Sequence, residues 1–434
     1  MSDLVTSRIF VDGEKGITAA KLNDITASSV IQPAFYTGKP TASTADPTDV
    51  MLILKAGAYT QVPVSTLAGS LSNAAIWSTR LRSYNAIANS NFEVDQRQCG
   101  ASIALGSASS VGIDRWWSFK VGTLAGTVQQ VTANPPVLVP GTNFAITSKF
   151  WRVTLTTQEA ALGVNDYIQL FQLIEGPCWR EIMSDVHSVS LLVRSSVAGL
   201  TFGVFLQDPP TVTKTLTNLC TIPTVNTWTL ITLPNVPVWP SGNFVTTPGS
   251  NGYRLGICLA SGSNLTSPAN GTWQNGNFLG ATGQSNFAAS PINSTFDIAF
   301  VQHEPGAVCS TLMDKPFTQN YDECLRYYYK TYDYDVAVGT ASAVGQIGLP
   351  ECATTVAYGA VRYPKPMAKI PTLTAYNLAT GAINSVRMIG GSDYAVTGFN
   401  GTGKTGFLGV ATAAMPAPVV GATIQFHYTA DTGW

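Results

Sequence analysis

Two short runs decide the fold: Ser188-Val-Ser-Leu-Leu-Val-Arg194 and Thr201-Phe-Gly-Val-Phe-Leu206, separated by a turn at Gly199. Both are rich in β-branched and aromatic residues and too short for amphipathic helices. Each is bounded by small or polar residues, so the pair reads as two strands. Trp228–Leu233, Tyr253–Leu259 and Phe296–Gln302 repeat the pattern, with turn clusters between them. The Gly, Asn and Ser stretch at Ser261–Ser290 reads as loop. Strands with polar connections and few helix-period segments predict an antiparallel sandwich or jelly roll.

Toward the C-terminus the pattern continues. Asn320–Tyr329 is a helix candidate within Asp314–Tyr329, and Thr355–Arg362, Thr372–Tyr376, Asp393–Thr397 and Thr423–Thr429 read as strands. In the last of these, Ile424, Phe426 and Tyr428 alternate with Gln425 and His427, giving one apolar and one polar face. Residues 1–83 differ. They are rich in Ala, Ser and Thr and poor in aromatics, with amphipathic stretches at Ala19–Ile31 and Val62–Leu71 and a short strand at Met51–Leu54. This segment lacks the apolar content for its own core and reads as an adaptor ordered by a partner. No internal repeat of solenoid period is present.

Composition fits a mainly β chain. Of 434 residues, 45% are hydrophobic and only 11% charged, with 39 Gly and 25 Pro. That is short of the charge a helical enzyme usually carries. A formal net charge of −1 offers no basic surface for nucleic acid. No run of 18 apolar residues predicts a membrane span. Seven cysteines are scattered without C-x-x-C pairs and read as reduced thiols of a chain made in the cytosol.

Two nucleotide-site patterns overlap near the end. Gly398-Phe-Asn-Gly-Thr-Gly403-Lys404-Thr405 matches the phosphate-binding loop formally, and Gly401, Gly403 and Gly406 match the dinucleotide fingerprint. Both sites need a following helix and a parallel sheet. Gly406, Gly409 and Pro416 spoil the helix, so the stretch reads as a Gly-rich hairpin loop. His187, His303 and His427 are far apart and lack metal-ligand spacing, so neither a metal nor a cofactor is expected. Glu93, Asp95, Asp114, Glu159, Asp166, Glu175, Glu181 and Asp185 supply carboxylates for a glycoside-cleaving pair, if the fold brings two together. The chain is read as a non-enzyme, with two rivals: a tailspike-type polysaccharide depolymerase, and a ligand-free structural adaptor or decoration protein. Aromatic residues of the strand-rich middle suggest another role. Trp116, Trp117, Trp179, Tyr253 and Trp273 are candidate platforms for stacking on sugar C–H faces, the competing reading being that they fill the core.

Several segments resemble bacteriophage tail-fibre and other virion-appendage proteins. They are Asn89-Ser-Asn-Phe-Glu-Val-Asp-Gln-Arg97, Gly112-Ile-Asp-Arg-Trp116, Gln172-Leu-Ile-Glu-Gly176, Ser188–Ser196, Ile298-Ala-Phe-Val-Gln-His-Glu-Pro-Gly306 and Cys324-Leu-Arg-Tyr-Tyr328. The tail Phe426-His-Tyr-Thr-Ala-Asp431 resembles fibre C-termini. His303, Pro305 and Leu325 depart from the family pattern. The resemblance implies a homotrimeric fibre or spike on the virion, made in the bacterial cytoplasm and directed at host surface polysaccharide. Its parts would be a virion anchor at 1–83, a carbohydrate-binding-like jelly roll at 84–315 and a C-terminal β-sandwich domain at 316–434. It transfers no catalytic residue.

Overall fold

The computed structural model describes residues 50–55, 58–63, 84–106, 110–136, 147–184, 186–413 and 422–434. The chain divides into two compact units, Met1–Trp77 and Ser78–Trp434. In the first unit β1 (Val50–Lys55) pairs antiparallel with β2 (Ala58–Pro63), with Val50 opposite Pro63 and Lys55 opposite Ala58. The expected strand at Met51–Leu54 lies within β1. The amphipathic stretch Ala19–Ile31 lies outside the described residues, as does all of Val62–Leu71 beyond residue 63.

The second unit begins with a two-layer antiparallel sandwich, as the alternating runs predict. Its strands are β3 (Ile103–Ala104), β4 (Ser110–Ile113), β5 (Trp116–Val121), β6 (Ala125–Val131), β7 (Phe150–Thr157), β8 (Tyr167–Glu175), β9 (His187–Ser195), β10 (Leu200–Gln207), β11 (Lys214–Ile222), β12 (Thr229–Val236), β13 (Asn251–Ser261), β14 (Trp273–Asn275) and β15 (Thr295–Pro305). One sheet runs β14-β11-β10-β13-β8-β5-β4 and the other β12-β9-β15-β7-β6-β3. The chain crosses repeatedly between the layers, from β8 to β9, from β9 to β10 and from β13–β14 to β15. This is jelly-roll behaviour. Alternation sends Ile168, Leu170 and Ile174 of β8 and Tyr253, Leu255 and Ile257 of β13 inward, against Val189, Leu191 and Val193 of β9 and Phe296 and Ile298 of β15.

Beyond the sandwich, α2 (Phe317–Cys324) leads to β16 (Tyr328–Lys330), β17 (Ile347–Ala353), β18 (Val356–Arg362), β19 (Thr372–Tyr376), β20 (Ser385–Met388), β21 (Asp393–Asn400), β22 (Gly406–Thr412) and β23 (Thr423–Asp431); α1 (Gly176–Arg180) is a short turn inside the sandwich. In this C-terminal β domain β23 pairs with β17, β17 with β18, β18 with β22, β22 with β21, β21 with β20 and β20 again with β23. The ring of pairings therefore closes around a second core that includes Phe407, Val410, Ile424, Phe426 and Tyr428. The ring itself has no free edge, while β16 and β19 lie outside it and pair with β23. The glycine-rich stretch Gly398–Thr405 is the tip of the β21–β22 hairpin, as read, with Gly401 in the left-handed region.

The helix expected over Asn320–Tyr329 ends at Cys324 instead. Arg326 and Tyr327 are drawn to the sandwich, and Tyr328 starts a strand opposite Asp431. Glu175, at the end of β8, accepts from Arg326 Nε at 2.9 Å and Nη2 at 2.6 Å, from Tyr327 Oη at 2.8 Å and from the Gly249 N–H at 2.6 Å. Burial pushes its carboxyl up, but these donors outweigh it and hold Glu175 below the ordinary range. Arg97 pairs through both terminal nitrogens with Asp431 and lies over the Tyr328 ring at 4.1 Å. Arg115 lies over Tyr327 at 3.7 Å, and Tyr327 stacks on the C-terminal Trp434. Charge-assisted, multidentate contacts of this kind fix orientation as well as adding energy.

Inside the sandwich, Tyr253 Oη, His303 and His187 form a buried hydrogen-bonded chain with 2.7 Å links, and His187 stacks on Trp239. Burial drives the His187 imidazole down to about 3, against a pull from the Pro237 carbonyl, and burial holds His303 well below the usual value.

Two predictions follow from this packing. Glu175→Ala strands Arg326 and Tyr327 and should cost about 2–4 kcal/mol, read as a lower denaturant midpoint; an unchanged midpoint would show the clamp to be decorative. The histidines stay neutral when folded but take up protons when unfolded below pH ~6.5, so their contribution is lost as pH falls from there toward 3. Asp114, raised by burial to about 7, acts oppositely between its unfolded value and 7. A His187→Asn variant should therefore lose less stability than the parent between pH 7 and pH 5. An equal loss would remove the histidine account.

Candidate functional site

The five aromatic candidates have different fates. Trp116 and Tyr253 are fully buried between the sheets. Trp116 donates its Nε1–H to the Asn89 carbonyl at 3.2 Å, and Tyr253 is held by His303. Trp179 stacks on Phe244 at 5.2 Å, and Trp273 packs against Trp239 at 5.3 Å while donating to the Pro237 carbonyl. These two help plug one end of the sandwich with aromatic rings. As sugar platforms, Trp116 and Tyr253 are closed and Trp179 nearly so. Burying such large apolar surfaces stabilises the core more than presenting them to water would. Trp273 is half-buried, and Trp117, no more exposed than Trp179, lines one edge of a surface groove.

Alternation explains why. Trp116 points into the core, so its neighbour Trp117 must point to the outer face of the seven-stranded sheet. There it stacks on Phe171, its direct partner across β5 and β8, with ring centroids 6.2 Å apart and planes 9° apart. Phe119 and Tyr167 form a second stack on the same face, at 5.9 Å and 17°. Val111 and Leu173 complete this half of the face. Phe119, Tyr167 and Leu173 remain half-exposed.

The other half of the face is covered by the 261–284 connection. Gly203 and Gly256 make that possible: a Cβ at Gly203 would meet Ala281 N at 2.9 Å, and one at Gly256 would meet the Phe205 ring. In the sequence alone, 261–290 reads as plain loop. Only the outward glycines in β10 and β13 hint that it docks on the sheet.

At the end of the aromatic strip lies a cleft of about 550 Å³ between the sandwich and the C-terminal domain. Gln98, Val111 and Trp117 form the sandwich wall, and Thr372, Thr374 and Tyr376 form part of the opposite floor. Arg97 and Asp431 sit at its base as an ion pair. Burial opposes ionisation of Asp431, but Arg97 outweighs it and keeps the carboxyl below the ordinary range. No sequence motif marks Thr372, Thr374 or Tyr376. Their only signal is the two-residue period of β19, which places them on the face opposite Leu373 and Ala375.

The carboxylates are largely committed to structure. Asp95 accepts from the Gln98 and Gly100 N–H groups, Asp114 from the Gln96 N–H and side chain, and Glu159 from Thr123 and the Leu124 N–H. Glu175 belongs to the clamp. Asp185 lies outside the described residues. Among the described residues, no group of three or more His, Cys, Asp or Glu side chains is placed to hold a metal ion. No helix of the described residues is long and apolar enough to cross a membrane.

No protein-family model matches the chain, and no curated protein sequence matches it. Solved structures give partial likenesses at low identity. One is the carbohydrate-binding module TmCBM61 in complex with β-1,4-galactotriose, 11% identical over 51% of this chain and 99% of the module, with a TM-score of 0.27. Another is the enzymatically active domain of bacteriophage CBA120 tailspike protein 4, 13% identical over 51% of this chain, with a TM-score of 0.29; the match spans about a fifth, 21%, of that chain. A third is the family 11 carbohydrate-binding module from Clostridium thermocellum with a mixed-linked tetrasaccharide, 12% identical over 48% of this chain and 98% of the module, with a TM-score of 0.25.

Proposed function

We propose that the chain is a fibre or spike subunit of a bacteriophage virion that recognises glycan on the host surface. The observation that carries the glycan reading is the outer face of the sandwich, where the half-exposed Phe119–Tyr167 stack flanks the buried Trp117–Phe171 stack and Trp117 lines a hydroxyl-bearing cleft. Flat aromatic ledges suit the C–H faces of sugar rings, and hydroxyls suit sugar hydroxyls. The virion assignment rests on the sequence resemblance at 89–97, 112–116, 172–176, 298–306 and 324–328. Residues 1–83 are proposed as the anchor to other virion proteins. A homotrimer is proposed on the same resemblance, and its three weak sites would reinforce one another through effective concentration.

Binding without cleavage is the reading favoured by the carboxylates. Asp114 is buried and engaged by Gln96, and Glu175 is locked to Arg326, which leaves neither placed as a mobile acid or nucleophile.

The test is binding of the full chain to purified host polysaccharide, with the polymer length followed in the same samples. Phe119→Ala combined with Tyr167→Ala removes the half-exposed stack and should weaken binding about fivefold, since one such stack offers about 1 kcal/mol, while polymer length stays constant. Undiminished binding by the double variant would remove the strip as the site, and shortened polymer would make the protein a depolymerase. In parallel, a chain lacking residues 1–83 should fail to enter virions; its incorporation would overturn the anchor assignment.

A further inference from the structure

The floor of the cleft has a pattern that the aromatic strip does not. Register across β23 sets two rows on one face of the C-terminal sheet. Tyr328, Asp431 and Thr372 lie side by side in one, and Lys330, Thr429 and Thr374 in the next. Tyr376 follows beside His427. The sandwich loop covers one end of these rows. Arg97 takes Asp431 and stacks on Tyr328. Lys330 Nζ donates to the Tyr334 carbonyl at 2.9 Å and the Val336 carbonyl at 2.6 Å, and lies 3.3 Å from Cys99 Sγ. The two charges of these rows, Asp431 and Lys330, are therefore met within the protein. What remains open is Thr372 and Thr374, with Tyr376 engaged by Thr429 beside them, facing a wall of Val111 and Trp117. Among the described residues, no protein group hydrogen-bonds the hydroxyls of Thr372 or Thr374.

We infer that this floor is a selecting subsite, distinct from the aromatic strip, that accepts an uncharged glycan and discriminates against acidic sugars. The inference rests on the glycan reading above and adds the ligand class and the C-terminal domain's share of the site. Hydroxyls that each donate and accept match a sugar's hydroxyls without demanding charge. Arg97, the one Lys or Arg among the described residues that line the cleft, is already paired with Asp431 and so is not free for a carboxylated or sulfated sugar. To reach Arg97 it would have to displace Asp431, which is held at two nitrogens, and would leave that carboxylate without its partner. The sandwich and the C-terminal sheet contribute opposite walls of the subsite.

The experiment uses the full chain with neutral oligosaccharides and with uronic-acid-containing oligosaccharides of matched length, followed by ligand-observed NMR and titration at low and high salt. Neutral ligands should bind with an affinity nearly independent of salt, because no ion pair is screened. Thr374→Val keeps the strand propensity and shape while removing one hydroxyl, and should weaken neutral-glycan binding about fivefold, the equivalent of one hydrogen bond of about 1 kcal/mol. Thr372→Lys should restore acidic ligands at the expense of discrimination. Far-ultraviolet circular dichroism and melting checks that both variants fold.

If Phe119→Ala with Tyr167→Ala weakens binding while both threonine variants bind as the parent does, the subsite is overturned and the glycan reading stands. Preference of the parent for acidic ligands overturns the ligand class. Absence of any glycan binding by the parent overturns both the subsite and the reading beneath it.

Discussion

Glu175 holds the second unit together as one object. Its carboxylate ends β8 of the sandwich and receives four donors, three of them from Arg326 and Tyr327 on the way into the C-terminal domain. A buried carboxylate so fully paired cannot give up one partner cheaply. Arg97 makes the reciprocal contact, reaching from the sandwich to Asp431 in the last strand. Arg115 adds a third contact by covering the Tyr327 ring. Because these contacts come from separated points of both domains, they fix orientation, and the cleft between Trp117 and Thr374 inherits its width from them.

The residues that carry the sequence resemblance are largely these same residues. Arg97 closes the 89–97 segment, Arg115 lies in the 112–116 segment, Glu175 in 172–176, and Arg326 and Tyr327 in 324–328. Asn89 sits in the left-handed region and accepts from Val94 while donating to the Val94 and Asp114 carbonyls. The segments therefore describe how two β domains are joined, and their chemistry is structural. His303, a departure from the family pattern, has its own local role: it links Tyr253 to His187 deep in the core.

Legibility in the sequence followed periodicity. The strands at 188–194, 253–259, 296–302 and 372–376 were visible because alternating side chains face different surroundings, and the structure places a strand over each. Helix α2 was overextended because Tyr327 and Tyr328 look amphipathic in isolation, while their partners Glu175 and Asp431 lie about a hundred residues or more away. Residue type alone marks the aromatic candidates and does not reveal which face a side chain takes. Of the adjacent pair Trp116 and Trp117, one fills the core and the other reaches the groove. Thr372 and Thr374 carry no local signal, since a threonine on a strand is ordinary until the opposite wall is known.

The most direct measurement is hydrogen–deuterium exchange of the full chain with and without host polysaccharide. The account predicts added protection at 111–121, 167–173 and 372–376 together, because one ligand would span two walls fixed by the Glu175 clamp. Protection confined to other surfaces, with these three segments unchanged, would contradict it.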